Sequence, residues 1–132
     1  MKKEILKEKY IKYNLTKDDV FRHQHYIIIT RSGIEKIQAI ENITIYFEVV
    51  KSEPNFAGVK ATATKDDCCI ETFGSALKGQ SFKDGNTNTW YVLEMAEKRA
   101  LSRAVLKLTG FYELGVFGED EAEDFKMSNN KK

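Results

Sequence analysis

The sequence predicts an α+β domain: an antiparallel three- to four-stranded β-meander packed against one long C-terminal helix, with short N-terminal helices. Three observations carry this. Between Ile43 and Gly74, three β-forming runs follow one another at hairpin spacing. From Trp90 to Thr109 the chain turns to Ala, Leu, Glu, Lys, Arg and Met, the strong helix formers. Its 132 residues, 42% hydrophobic and 11% aromatic, can bury one core.

Residues 1–13, "MKKEILKEKYIKY", read as a short charged helix anchored by Ile5, Tyr10 and Tyr13. "YIIIT", Tyr26–Thr30, is β-branched and apolar, a buried strand. In "RSGIEKIQAI" Ser32 and Glu35 have capping-box spacing, and Ile34, Ile37 and Ile40 recur at helical intervals. The meander runs Ile43–Val50, Gly58–Lys65 and Cys68–Gly74, with "SEPNFAG" and "KDD" as its turns. "SALKGQSFKDGNTNT" is the one long irregular stretch, a kind of loop that often carries function. The following helix takes Asn88 or Thr89 as its cap and ends at Gly110, where a C-cap glycine belongs. Its core face is Leu93, Ala96, Ala100, Leu101, Ala104 and Leu108, whose alanines permit close packing on a sheet. Residues 1–118 form the domain; 119–132 are an acidic end and a disordered tail.

No apolar run approaches the roughly 20 residues that cross a bilayer, and no signal peptide is evident. The expectation is a cytoplasmic protein with no membrane partner. Cys68 and Cys69 are adjacent, which suits reduced, half-buried thiols better than a disulfide. Net charge is +1, but five acids fall between Glu119 and Asp124. Up to Gly118 the chain holds eighteen basic and fifteen acidic residues, a mildly basic body compatible with nucleic acid.

The sharpest pattern is "EKRALSRAVLK". Arg99, Arg103 and Lys107 lie on one helical stripe, with Lys98 beside it and Ser102 as a hydrogen-bond donor. Guanidinium forks suit phosphates. The bland alternative is a solvated face paired with Glu94 and Glu97. Lys78 and Lys83 in the glycine-rich loop could follow a nucleic-acid backbone, although no P-loop is present. Phe82 and Trp90, at that loop, are the best placed of the aromatics to stack on bases. "HQH" (His23 and His25, with Asp18 or Asp19) is a weak metal pattern. Asp66, Asp67 and Glu71 could imitate a nuclease carboxylate set, but a hairpin turn accounts for "KDD". No catalytic motif is found, so a binding protein without metal or cofactor is expected rather than an enzyme.

Strand, short helix, meander, loop and long helix, with "EMAEKRALSRAVLKLTG" in the last, resemble the core of the Rad fifty-two type of single-strand annealing proteins, including phage-encoded recombination mediators. Ala96, Lys98, Arg99, Ala100, Arg103 and Gly110 match the character of that family's helix. The resemblance covers about Tyr26 to Gly110. It implies a homo-oligomer, often a ring, that binds single-stranded DNA in a basic groove and brings complementary strands together. The phosphate contacts it implies are Lys98, Arg99 and Arg103, with Lys60 and Lys65 from the meander and Lys78 and Lys83 from the loop. Ser102 as a hydrogen-bond donor and Trp90 as a stacking ring complete the expected nucleic-acid-binding set. The alternative is a small factor that inhibits a host protein through its acidic and aromatic C-terminal end.

Overall fold

In a computed structural model, residues 2–23, 26–79 and 91–119 are described. The architecture is the predicted α+β arrangement, with two sheets around the long helix rather than one. The elements are α1 (Lys2–Lys12), β1 (Val20–His23), β2 (Tyr26–Ile29), α2 (Arg31–Glu41), β3 (Thr44–Glu53), β4 (Phe56–Lys65), β5 (Cys68–Leu77), α3 (Val92–Leu108) and β6 (Val116–Gly118). A 3-10 turn, Tyr112–Leu114, precedes β6.

The meander β3-β4-β5 is antiparallel throughout. Its strands are longer than the sequence suggested, because pairing continues into the turns. Glu53 faces Phe56, so only Pro54 and Asn55 join β3 to β4. A bulge between Val49 and Lys51 breaks the β3 register. The buried strand Tyr26–Ile29 does not extend the meander. It pairs antiparallel with β1 and parallel with β6, forming a second small sheet that sequence reading missed. Both neighbours are short, and the alternation signal needs more residues than three or four to show.

The α2 cap also differs from expectation. Thr30, extended at ψ 167°, ends β2 and accepts a hydrogen bond from the Gly33 amide at 3.2 Å, while Ser32 lies exposed in the first turn. Of the expected N-terminal anchors, Tyr13, just after α1, is buried and Tyr10 packs partly buried against the core, while Ile5 is exposed and Leu6 is buried in its place.

α3 runs between the two sheets. Ala96, Ala100 and Ala104 are fully buried, as predicted, but Leu93, Leu101 and Leu108 are only partly covered. Val92, Met95, Val105 and Leu106 are buried instead, because the helix is enclosed by more than one layer. Two glycines set its distance from each sheet. A Cβ on Gly74 of β5 would lie 2.3 Å from the Ala96 carbonyl oxygen, and one on Gly118 of β6 would lie 2.7 Å from Ser102 Cβ. Contacts this close leave no room for a side chain. α3 packs on β5 and β4 and scarcely reaches β3. Cys68 and Cys69 are free and exposed rather than half-buried, since they stand at the hairpin end of β5.

Candidate nucleic-acid interface

The arginine row of α3 is where sequence and structure differ most. Arg99 is 1% exposed, and its Nη1 donates to the Ser75 carbonyl at 2.8 Å. Arg103 Nη1 donates to the Phe73 carbonyl at 2.6 Å. Residues 73 and 75 are alternate positions of one strand, whose carbonyls point the same way. The i, i+4 step of the helix therefore matches two steps of β5, and the arginines bond its outer edge. Thr72 Oγ1 adds a bond to the Ala100 carbonyl at 2.8 Å. Ser102 is buried at the crossing of α3 and β6. Arg99 and Ser102 thus hold the helix to the sheets. Arg103 is part-buried and lines a small cleft with Glu71, Thr72, Phe73, Lys107 and Tyr112, so this cleft carries one carboxylate beside its cations.

The other predicted contacts do not converge on this row. Lys60 lies on the far face of the meander between Glu71 (3.3 Å) and Glu48 (3.6 Å), which hold it above the usual lysine range. Lys65 sits at the hairpin end near Glu41 (3.7 Å) and Asp66 (3.6 Å). The Lys78 amide closes the opposite end of the sheet on the Asn55 carbonyl at 2.7 Å. Lys98 is half-buried on α3. Lys83, Phe82, Trp90, the Asn88 and Thr89 caps, His25 and the acidic stretch beyond Glu119 lie outside the described residues.

The weaker chemical patterns have structural explanations. Asp19 is buried; it accepts from Lys36 Nζ at 2.6 Å and from the Thr16 amide at 2.9 Å. Those bonds, led by Lys36, hold its carboxyl below the usual range. Asp66 occupies the left-handed region at φ 54° in the exposed β4–β5 turn. Among the described residues no three ligating side chains could hold one metal ion.

A basic surface not anticipated from the sequence lies between α1 and the small sheet. α1 places Lys3, Leu6, Lys7 and Tyr10 on one stripe at helical spacing. Leu6 turns into the core, which brings the two lysines over β1 and its Arg22. The resulting groove is about 390 Å³, floored by Val20, Phe21 and Ile27. A neighbouring groove of about 410 Å³ shares Lys3, Arg22 and Ile27 and adds Lys2, Tyr26 and Phe117. Among the described residues no carboxylate lines either groove. The Phe117 ring meets Tyr26 edge-on at 5.4 Å and Tyr112 edge-on at 5.4 Å. Tyr112 borders the cleft that holds Arg103 and Lys107. A belt of cations and rings therefore runs from Lys7 through Arg22, Tyr26, Phe117 and Tyr112 to Lys107. Cations at open positions supply attraction to phosphates, and ring faces supply sequence-tolerant stacking.

No known protein family model, curated protein or solved structure matches this chain. Among the described residues no helix is long and apolar enough to cross a membrane.

Proposed function

We propose that the chain binds single-stranded DNA and serves as a recombination or strand-annealing mediator. The observation that supports this reading is the pair of grooves between α1 and the small sheet, whose described lining sets Lys2, Lys3, Lys7 and Arg22 beside Tyr10, Phe21, Tyr26 and Phe117 and includes no carboxylate. Phosphates would lie along the cations, and splayed bases would meet the rings. Binding of this kind leaves Watson–Crick edges free for pairing, as annealing requires. In this reading Lys107 extends the track beyond Tyr112, while Arg99, Ser102 and Arg103 shape it by holding α3 to the sheets.

The test is fluorescence anisotropy of a labelled oligothymidylate, titrated at low and moderate salt. The reading expects affinity that falls steeply with salt and exceeds that for a duplex of equal length. Absence of binding at low salt would overturn it.

A further inference from the structure

We propose that the free edge of β3 pairs with β3 of a second copy, antiparallel, about a two-fold axis at Phe47. This inference does not rest on the nucleic-acid reading, because β3 contributes to neither basic groove.

The two edges of the meander are treated differently. On β5, the arginines occupy the outward carbonyls of Phe73 and Ser75. On β3, no described element pairs with the outer side, and the strand exposes large apolar side chains on both faces. Tyr46 is 68% exposed, Phe47 41%, Val49 53% and Val50 58%. A ten-residue strand of this composition is the kind of edge that recruits another strand.

Which backbone groups are available follows from the arginines. If Phe73 and Ser75 face outward, Thr72, Gly74 and Ala76 bond β4 through Ala61, Val59 and Ala57. Thr64, Thr62 and Lys60 then bond β3 through Thr44, Tyr46 and Glu48. Ile45, Phe47 and Val49 are left facing the free edge, with side chains on the α3 side of the sheet.

Charge and chain geometry then select one register. With Phe47 opposite Phe47 of the second copy, Ile45 stands opposite Val49, and all three outward residues exchange backbone bonds. Tyr46 stands opposite Glu48, so no like charges meet. Centring the pair on Glu48 would set two carboxylates directly opposite. Centring it on Tyr46 would bring Val49 to Ile43, whose amide and carbonyl are already bonded to Gln38. Centring it on Val49 would run Phe47 into the bulge at Lys51.

The same features disfavour a ring. Head-to-tail growth would join β3 to β5 of the next copy, and the β5 carbonyls it needs are held by Arg99 and Arg103. The product is a closed dimer with one six-stranded sheet and both α3 helices on one face.

Sedimentation equilibrium across micromolar concentrations is expected to show a monomer–dimer equilibrium. Val49→Lys should weaken it at least tenfold with the fold intact by circular dichroism. The register is read by oxidative cross-linking in a Cys68→Ser, Cys69→Ser background. Tyr46→Cys and Glu48→Cys chains, each exposed at the changed position, should cross-link to one another when mixed and neither to itself. A strict monomer, an assembly larger than a dimer, or self-linking of either single variant would overturn the proposal.

Discussion

Two sets of cations in this protein are alike in sequence and opposite in use. Those of α3 sit among alanines at regular spacing and read as a binding face. Yet Arg99 is buried and Arg103 is bonded to strand β5. Those of α1 and β1 are scattered through "MKKEILKEKY" and "VFRH" and read as ordinary surface. They gather beside aromatic rings, with no carboxylate among the described residues that line the grooves. The difference teaches that an arginine's role is set by where its fork ends. A fork that ends on main-chain carbonyls is structure, and one left open over rings is available to a ligand.

The strongest way to break this comparison is Arg99→Ala. It removes a buried charge-assisted hydrogen bond and leaves the Ser75 carbonyl without that donor. The expected loss is about 3 kcal/mol in urea unfolding, with DNA affinity of the remaining folded protein unchanged. Loss of affinity with stability intact would return the row to a binding role. Gly74→Ala tests the same contact from the strand side. Its methyl would meet the backbone of α3 at Ala96 and Ala100. Overpacking against backbone should cost about 2 kcal/mol in the same measurement.

A third cation, Lys36, separates carbonyl acceptors from carboxylate ones. Its partner Asp19 has its pKa lowered in the folded state, chiefly by that bond. Folded Asp19 binds fewer protons than the unfolded chain around pH 4, so its stabilisation is complete above the unfolded value. It is lost as pH falls through the lower folded value. The acceptor of Arg99 is a carbonyl, which does not titrate. Asp19→Asn should therefore cost about 1.5 kcal/mol at pH 7 and progressively less toward pH 2. The cost of Arg99→Ala should stay constant wherever the fold persists. Unfolding curves of both variants at several pH values check this; equal pH dependence would refute the distinction.

The legible part of this fold was what period and propensity report. The meander and α3 are long enough for alternation and helix formers to dominate, and Ala96, Ala100 and Ala104 lie where helical spacing put them. The second sheet was illegible because β1 and β6 are three or four residues long and β6 joins across most of the chain. The fate of Arg99 was illegible for a different reason. Spacing shows which residues share a stripe but not whether a strand edge lies beneath it, and Gly74 is the residue that lets β5 come so close. The grooves at α1 depend on Leu6 turning inward rather than Ile5. In a helix with apolar residues at positions 5, 6, 10, 11 and 13 no clean stripe marks that choice.

The last test addresses the grooves and carries the smallest energy. Lys7 and Arg22 are exposed and lie beside Tyr10 over one groove. Each neutralises at most one phosphate, so Lys7→Ala or Arg22→Ala should lower affinity for single-stranded DNA about fivefold, roughly 1 kcal/mol. Each should also reduce the salt slope by about 0.7. Stability should stay within about 0.5 kcal/mol of the parent, as for other surface changes. Lys60→Ala, on the far face between two glutamates, is the matched control and should leave both affinity and slope unchanged. If Lys60→Ala weakens binding and the groove variants do not, the DNA track belongs on the open face of the meander. The contrast between the two cation sets would then have to be redrawn around that face.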